Sequence, residues 1–294
     1  MVRHDDYALL DCGDGRRLDA FGPFIVDRPA PSALEPRRAP ERWAGAAIYH
    51  RGSGWWGADG TPLAEVGHPV GVAGITMEVR FAPSGQVGLF PEHAANATWI
   101  AAAVRNRQSG PDAGDGPPEV LNLFAYTGLA TLVAARAGGR VTHVDGSRPS
   151  ILWARRNAEL SGLADAPARW IVDEALSFVR REARRGRRYA GLILDPPSYG
   201  HGPRGGSTGA WRFDERIDEL LEACAGIAEP DAFWLLTAHT LGWDPSRLAA
   251  ALRAATDAPA HELETVSLEL TAESGAVLHL GAAARFDPLR GDRR

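Results

Sequence analysis

The chain has 294 residues, 45% of them hydrophobic and 23% charged, which is ordinary for a globular protein of about two domains with a sizeable core. No stretch approaches the roughly 18 continuous apolar residues of a membrane helix, and the first residues lack the apolar core of a secretory signal. Cys12 and Cys224 are too few for a disulfide framework, so the expected setting is the cytoplasm. All 32 basic residues are arginine, which excludes a lysine Schiff base and a phosphate-loop lysine. The absence of C-x-x-C removes support for a structural zinc site or a dithiol centre. A net charge of −5 argues against indiscriminate coating of nucleic acid and leaves a local arginine patch open.

Residues 5–88 are short-period and punctuated by Gly, Pro and Asp, which predicts strands. Tyr7 to Asp11 runs into the hairpin-type pair Asp14-Gly15, and Ile75 to Phe81 alternates as a half-buried strand. Residues 28–45 hold too much proline for a strand or a long helix and read as an irregular loop. Pro91 then opens a helix over 91–107, in which Ala94, Ala97, Ile100, Ala101 and Val104 recur at helical spacing. After a Pro/Gly-rich connector at 108–118, strands and helices alternate. Strands are predicted at 120–124, 140–145, 169–172, 191–195 and 233–237. The helices between them fall at 129–137, 149–161, 174–185 and near 214–227. A last helix at 246–255 precedes strands at 261–271 and 276–286, flanking the turn Ser274-Gly275.

In an open parallel sheet, ligands bind beyond the carboxyl ends of the strands, and four such ends carry informative residues. Leu121 to Gly128 (L-N-L-F-A-Y-T-G) is a strand-to-helix turn with a glycine that lets backbone approach a ligand; alone it is equally a plain connection. Asp145 ends the next strand, where an acid either accepts both hydroxyls of a ribose or caps the following helix through Gly146-Ser147. Asp173 follows the third strand and either meets an adenine amino group or serves as an N-cap. The fourth is the most specific. Asp195-Pro196-Pro197-Ser198-Tyr199 joins an acid at a strand end, a rigid proline wall and a ring able to stack on a planar base.

Those motifs, in this order and spacing, resemble the class I S-adenosylmethionine-dependent methyltransferases. More narrowly they resemble the bacterial branch related to the large-subunit ribosomal RNA methyltransferases, with a small N-terminal β module and a D-P-P-x-aromatic motif. Val87 to His93 also resembles that branch; the likeness covers about residues 87–286, and 1–86 loosely. It implies an α/β fold, a doubly wound, mostly parallel seven-stranded sheet at 87–294 behind a β-rich module at 1–86. It implies S-adenosylmethionine as cofactor and no required metal. Phe124, Ala125, Tyr126, Thr127 and Gly128 would lie along its methionine part, Asp145, Gly146 and Ser147 at its ribose, and Asp173, Glu174 and Ala175 at its adenine. Asp195, Pro196 and Tyr199 would border the methyl acceptor, with Asp195 also facing the cofactor.

Carbon-5 methylation of cytosine in RNA uses cysteines near the fourth and fifth strands. Here those places read Asp195-Pro196-Pro197-Ser198 and Leu236-Thr237-Ala238-His239-Thr240, so in-line transfer without a cysteine nucleophile is expected. Amino-methylating relatives place an aromatic directly after the prolines; Ser198 stands there and Tyr199 follows, leaving an exocyclic amine and a ring nitrogen both open. His201 and His239 follow strands four and five and are either bases or solvated loop residues. Arg180, Arg181, Arg184, Arg185, Arg187 and Arg188 form either a phosphate-binding patch or a solvated helix face. Trp43, Tyr49, Trp55 and Trp56 near Arg37, Arg38, Arg42 and Arg51 interleave rings and cations, as single-stranded nucleic acid prefers and as core packing also explains. The expected substrate is a base of RNA, ribosomal RNA foremost. The alternatives are a small-molecule or protein acceptor, or a silent module that keeps the cofactor pocket; a nicotinamide-binding protein is disfavoured by the lack of G-x-G-x-x-G.

Overall fold

A computed structural model describes residues 6–108, 116–200 and 211–290. The chain divides into two compact units, Met1–Ala94 with Leu268–Leu280, and Ala95–Ser267 with Gly281–Arg294. The boundary expected at 86/87 lies upstream of this division, and no single cut expresses the return of 268–280 to the first unit. His201 and most of the connector at 108–118 lie outside the described residues.

In the first unit β1 (Tyr7–Gly13), β2 (Arg16–Phe21), β3 (Phe24–Pro29), β4 (Ala47–His50) and β5 (Gly54–Trp56) form one sheet in chain order. Its pairs are antiparallel except β3 with β4. Asp14 and Gly15 both take positive φ, 54° and 74°, the geometry of a tight primed turn between β1 and β2. A second hairpin joins β6 (His68–Val72) and β7 (Ile75–Val79), where Ile75, Met77 and Val79 are buried and Thr76 and Glu78 half-buried, the predicted alternation.

The strands that hydrophobic patterning does not reveal are organised around charge. Asp19 is fully buried and accepts from Tyr7 Oη at 2.8 Å, Arg17 Nη2 at 2.8 Å and Arg28 Nε at 2.8 Å. Burial alone would push this carboxyl up; Arg17 and Arg28 bring it below its ordinary range. The proline-rich segment keeps one short 3-10 turn, Pro40–Trp43, and is fastened by another buried acid. Asp11 accepts from Ala39 N at 3.0 Å, Trp43 Nε1 at 2.9 Å and Ser274 Oγ at 2.7 Å. Trp43, Tyr49 and Trp55 are buried, which assigns those rings to the core, and Trp56 alone of the four is partly exposed.

In the second unit α1 (Ala94–Gln108) precedes β8 (Glu119–Leu123), α2 (Leu129–Arg136), β9 (Arg140–Asp145), α3 (Arg148–Leu160), β10 (Ala168–Val172), α4 (Ala175–Arg184) and β11 (Tyr189–Leu194). A two-residue pair, β12 (Tyr199–Gly200) and β13 (Trp211–Arg212), leads into α5 (Phe213–Ala225), β14 (Ala228–Ala238) and α6 (Pro245–Thr256). A hairpin of β15 (Leu263–Thr271) and β16 (Val277–Phe286) follows, its tip, Leu268–Leu280, belonging to the first unit. The seven-stranded sheet has the order β10-β9-β8-β11-β14-β16-β15. Its first five strands are parallel and β16 is antiparallel to β14. This is the expected doubly wound sheet, and its strand order reverses at β8, so a crevice opens beyond the carboxyl ends of β8, β9 and β11.

Apolar faces of the flanking helices, including Leu176, Phe178, Phe213, Ile217 and Leu220, pack with Leu121, Leu192, Leu194 and Leu236 of the sheet in one buried cluster. β14 begins earlier than predicted because Ala228 to Asp231 reads as a turn. Pairing with β11 skips there, from Tyr189↔Ala228 to Gly191↔Phe233, and Pro230 sits in the skipped piece where its missing N–H costs no ladder bond. Three arginines of the run pair locally, Arg181 with Asp173, Arg180 with Glu219, and Arg185 with the buried Glu182, while Arg184 and Arg187 are exposed.

Candidate active site

The turn after β8 is backbone held in an unusual shape. Phe124, Tyr126 and Gly128 have φ of 54°, 47° and 91°, so two non-glycine residues occupy the left-handed region, each at a cost of about 1–3 kcal/mol that its surroundings must offset. Hydrogen bonds hold it in place: Ala125 N donates to Val144 O at 3.1 Å, Tyr126 N to Asp145 Oδ2 at 2.8 Å, Gly128 N to Ala125 O at 3.0 Å, and the buried Asn157 Nδ2 to Thr127 O at 2.8 Å. The φ of Gly128 calls for glycine, and a Cβ there would in addition sit tightly, 3.2 Å from the Ala154 Cβ on α3.

Asp145 closes β9 beside this turn. Its Oδ1 accepts from Ser147 N at 2.8 Å and its Oδ2 from Tyr126 N at 2.8 Å. Burial pushes its carboxyl up, against the pull of those two amides. A carboxylate has about four acceptor positions, so each oxygen keeps one for a further donor, a fit to the paired hydroxyls of a ribose. The helix cap falls to Ser147, which accepts from Ser150 N at 3.3 Å, and Asp145 holds the amide of that cap residue.

Asp173 follows β10 and its N donates to Asp145 O at 3.1 Å, which ties the second and third strand ends together. Its carboxylate accepts from Glu174 N at 2.8 Å and pairs with Arg181. The helix cap falls to Glu174, which accepts from Ser177 N at 2.7 Å and Leu176 N at 3.3 Å, while Ala175 is buried in the core.

Asp195 follows β11, and its N lies 3.4 Å from Leu123 O, beside the strained turn. Pro196 is buried, whereas Pro197, Ser198 and Tyr199 are exposed. The segment is braced by Trp211, whose Nε1 donates to Pro197 O at 2.7 Å and whose ring lies 4.8 Å from that of Phe124. Tyr199, 51% exposed, sits in the β12–β13 pair four residues after the acid.

The register Leu194↔Leu236 brings the end of β14 alongside. Thr237 Oγ1 donates to Asp195 Oδ1, and His239 Nε2 lies 3.5 Å from the same oxygen. Thr237 is the residue that sequence reasoning passes over, because only the strand pairing makes it a neighbour of Asp195. Cys224 is fully buried on α5 and Cys12 is buried in the first unit, and burial pushes both thiols up, so neither presents a reactive thiolate.

No family model matches the chain. It is 30% identical over 173 residues to the ribosomal RNA large subunit methyltransferase K/L of Methylococcus capsulatus, covering 58% of this chain and 22% of that protein. It is 32% identical over 111 residues to the ribosomal RNA large subunit methyltransferase I of Klebsiella pneumoniae, covering 37% of this chain and 24% of the other. The chain thus spans between a fifth and a quarter of the length of these curated relatives. A putative SAM-dependent methyltransferase from Streptococcus mutans shares the fold, with a TM-score of 0.71 at 16% identity over 96% of this chain and 75% of that one. The crystal structure of a SAM-dependent methyltransferase from Agrobacterium tumefaciens matches over 96% of this chain and 90% of its own, with a TM-score of 0.85 and 34% identity. With that relative matched over nearly its whole length, on a sheet whose strand ends carry the strained turn, the acid Asp145 and the D-P-P segment, the chain belongs to the S-adenosylmethionine-dependent methyltransferases.

Proposed function

We propose that the chain methylates a nitrogen of an RNA base, ribosomal RNA foremost, by direct in-line transfer from S-adenosylmethionine without a cysteine nucleophile. The observation that carries the reading is the Asp195 carboxylate, fixed at the end of β11 by Thr237 and followed by a proline-stiffened segment with the exposed Tyr199 ring. An acid so held can accept an N–H of the acceptor while Tyr199 stacks on the base. RNA as the acceptor class is supported by the names of the ribosomal RNA methyltransferases that the chain resembles. RNA substrates go with a cytoplasmic place of work; among the described residues no helix is long and apolar enough to cross a membrane.

In this reading residues 124–128 border the methionine part of the cofactor, Asp145 with Gly146 and Ser147 its ribose, and Asp173 with Glu174 and Ala175 its adenine. Bound cofactor supplies a methyl group already activated on a sulfonium. The protein's own work is alignment of acceptor against donor and exclusion of water. The test is transfer of labelled methyl from S-adenosylmethionine to total RNA, protein and small metabolites in separate reactions, with Asp195→Ala as control. Label in RNA that the variant loses is the expected result. Label confined to protein or metabolites overturns the RNA assignment, and no label despite cofactor binding overturns the enzyme reading in favour of a silent module.

A further inference from the structure

Methylating a base nitrogen that bears a hydrogen, such as an exocyclic amine, leaves a proton that must depart, and the site contains a second group beside the acid that could receive it. Asp195 and His239 stand at the ends of the adjacent parallel strands β11 and β14, with Oδ1 and Nε2 3.5 Å apart. Their side chains are 28% and 29% exposed, half-open to substrate and water rather than sealed in the core. Thr237, two residues before His239, donates its hydroxyl hydrogen to the same Asp195 oxygen and also lies 3.2 Å from Leu194 O. The carboxylate is thereby locked toward β14, on the side where the imidazole sits.

Resting on the RNA-nitrogen reading above, we propose that His239 is the terminal proton acceptor of the reaction, with Asp195 as the relay and Thr237 as the positioning residue. The acceptor nitrogen's lone pair forms the new N–C bond to the methyl carbon, and the C–S bond breaks with its electron pair remaining on sulfur. The cationic N-methyl product gives its proton to the Asp195 carboxylate, and the proton passes to His239 Nε2 and on to water. A carboxylate alone is a weak base at neutral pH, whereas imidazole titrates there and can both take up and release the proton. This accounts for a histidine on the β14 end of a site that offers no reactive thiol.

The experiment measures initial rates of methyl transfer to total RNA for the wild type, His239→Ala, His239→Gln and Thr237→Val, alongside cofactor affinity by calorimetry. For both His239 variants a fall in kcat of about 10²–10⁴ is expected, with cofactor Kd and the apparent KM for RNA within about threefold of wild type. Added imidazole should restore part of the His239→Ala rate and none of the Asp195→Ala rate. Thr237→Val should lower kcat less than either, without imidazole rescue. Rates for both His239 variants within twofold of wild type overturn this inference alone. So do lost rates that imidazole leaves unchanged while cofactor affinity also falls, since His239 would then only hold the fold. A wild-type protein that labels no RNA overturns the functional reading and this inference with it.

Discussion

Asp145 engages the backbone amides on either side of it and retains capacity for two more donors. Asp145→Ala removes the brace on Tyr126 and, in the proposed reading, the ribose acceptor, and is expected to weaken S-adenosylmethionine binding about 100-fold by calorimetry; unchanged affinity would remove this residue from the cofactor site. Asp145→Asn turns an NH2 group toward one of the two amides and should lose affinity to a similar degree. The acid was legible because carboxylates at strand ends are sparse and stand at informative spacing. The relation of Asp195 to Thr237 and His239 was not. It depends on the pairing of Leu194 with Leu236, and a residue 42 positions away becomes a neighbour only through that register.

Elements beyond the connector were readable because each strand is a short apolar run and each helix an amphipathic one, so most ends fall close to their predicted places. The strands β2 to β5 escaped because their sheet buries Arg17, Asp19, Asp27 and Arg28 where periodicity looks for apolar side chains. β9 carries a related anomaly. His143 is fully buried, with Nδ1 2.9 Å from Thr131 Oγ1, which in turn accepts from Asn122 Nδ2 at 2.9 Å. Burial pushes the imidazole down from its ordinary 6.5 to about 3. Between those values the unfolded chain binds a proton that the folded chain refuses, so this contribution to stability is complete above pH 6.5 and is lost as pH falls toward 3. The slope is about 1.4 kcal/mol per pH unit. Urea unfolding at pH 5.0, 5.75 and 6.5, where most carboxylates stay ionised, should show this slope in the wild type and its loss in His143→Gln; identical slopes would mean that His143 is protonated in the fold.

At the scale of the whole molecule, composition reveals two units and conceals how the chain shares itself between them. The tip of the β15–β16 hairpin supplies the first unit with Ala272, Ala276 and the fully buried Leu278, packed in one cluster with Leu9, Cys12, Ala30 and Ala33. It also supplies the Ser274 hydroxyl that Asp11 accepts. Residues 1–94 expressed alone therefore lack part of their core and are expected to show no cooperative thermal transition; a sharp one would mean the hairpin tip is dispensable. In the full chain, Leu278→Ala should cost about 2–5 kcal/mol of stability by urea denaturation. The same sharing sets a timetable during synthesis. Strands β1 to β7 leave the ribosome well before residues 268–280, and the unit they belong to stays unfinished until that hairpin tip has been translated. Throughout that interval Leu9 and Cys12 lack their covering side chains, so any holding factor that shields nascent apolar surface has a long task at β1.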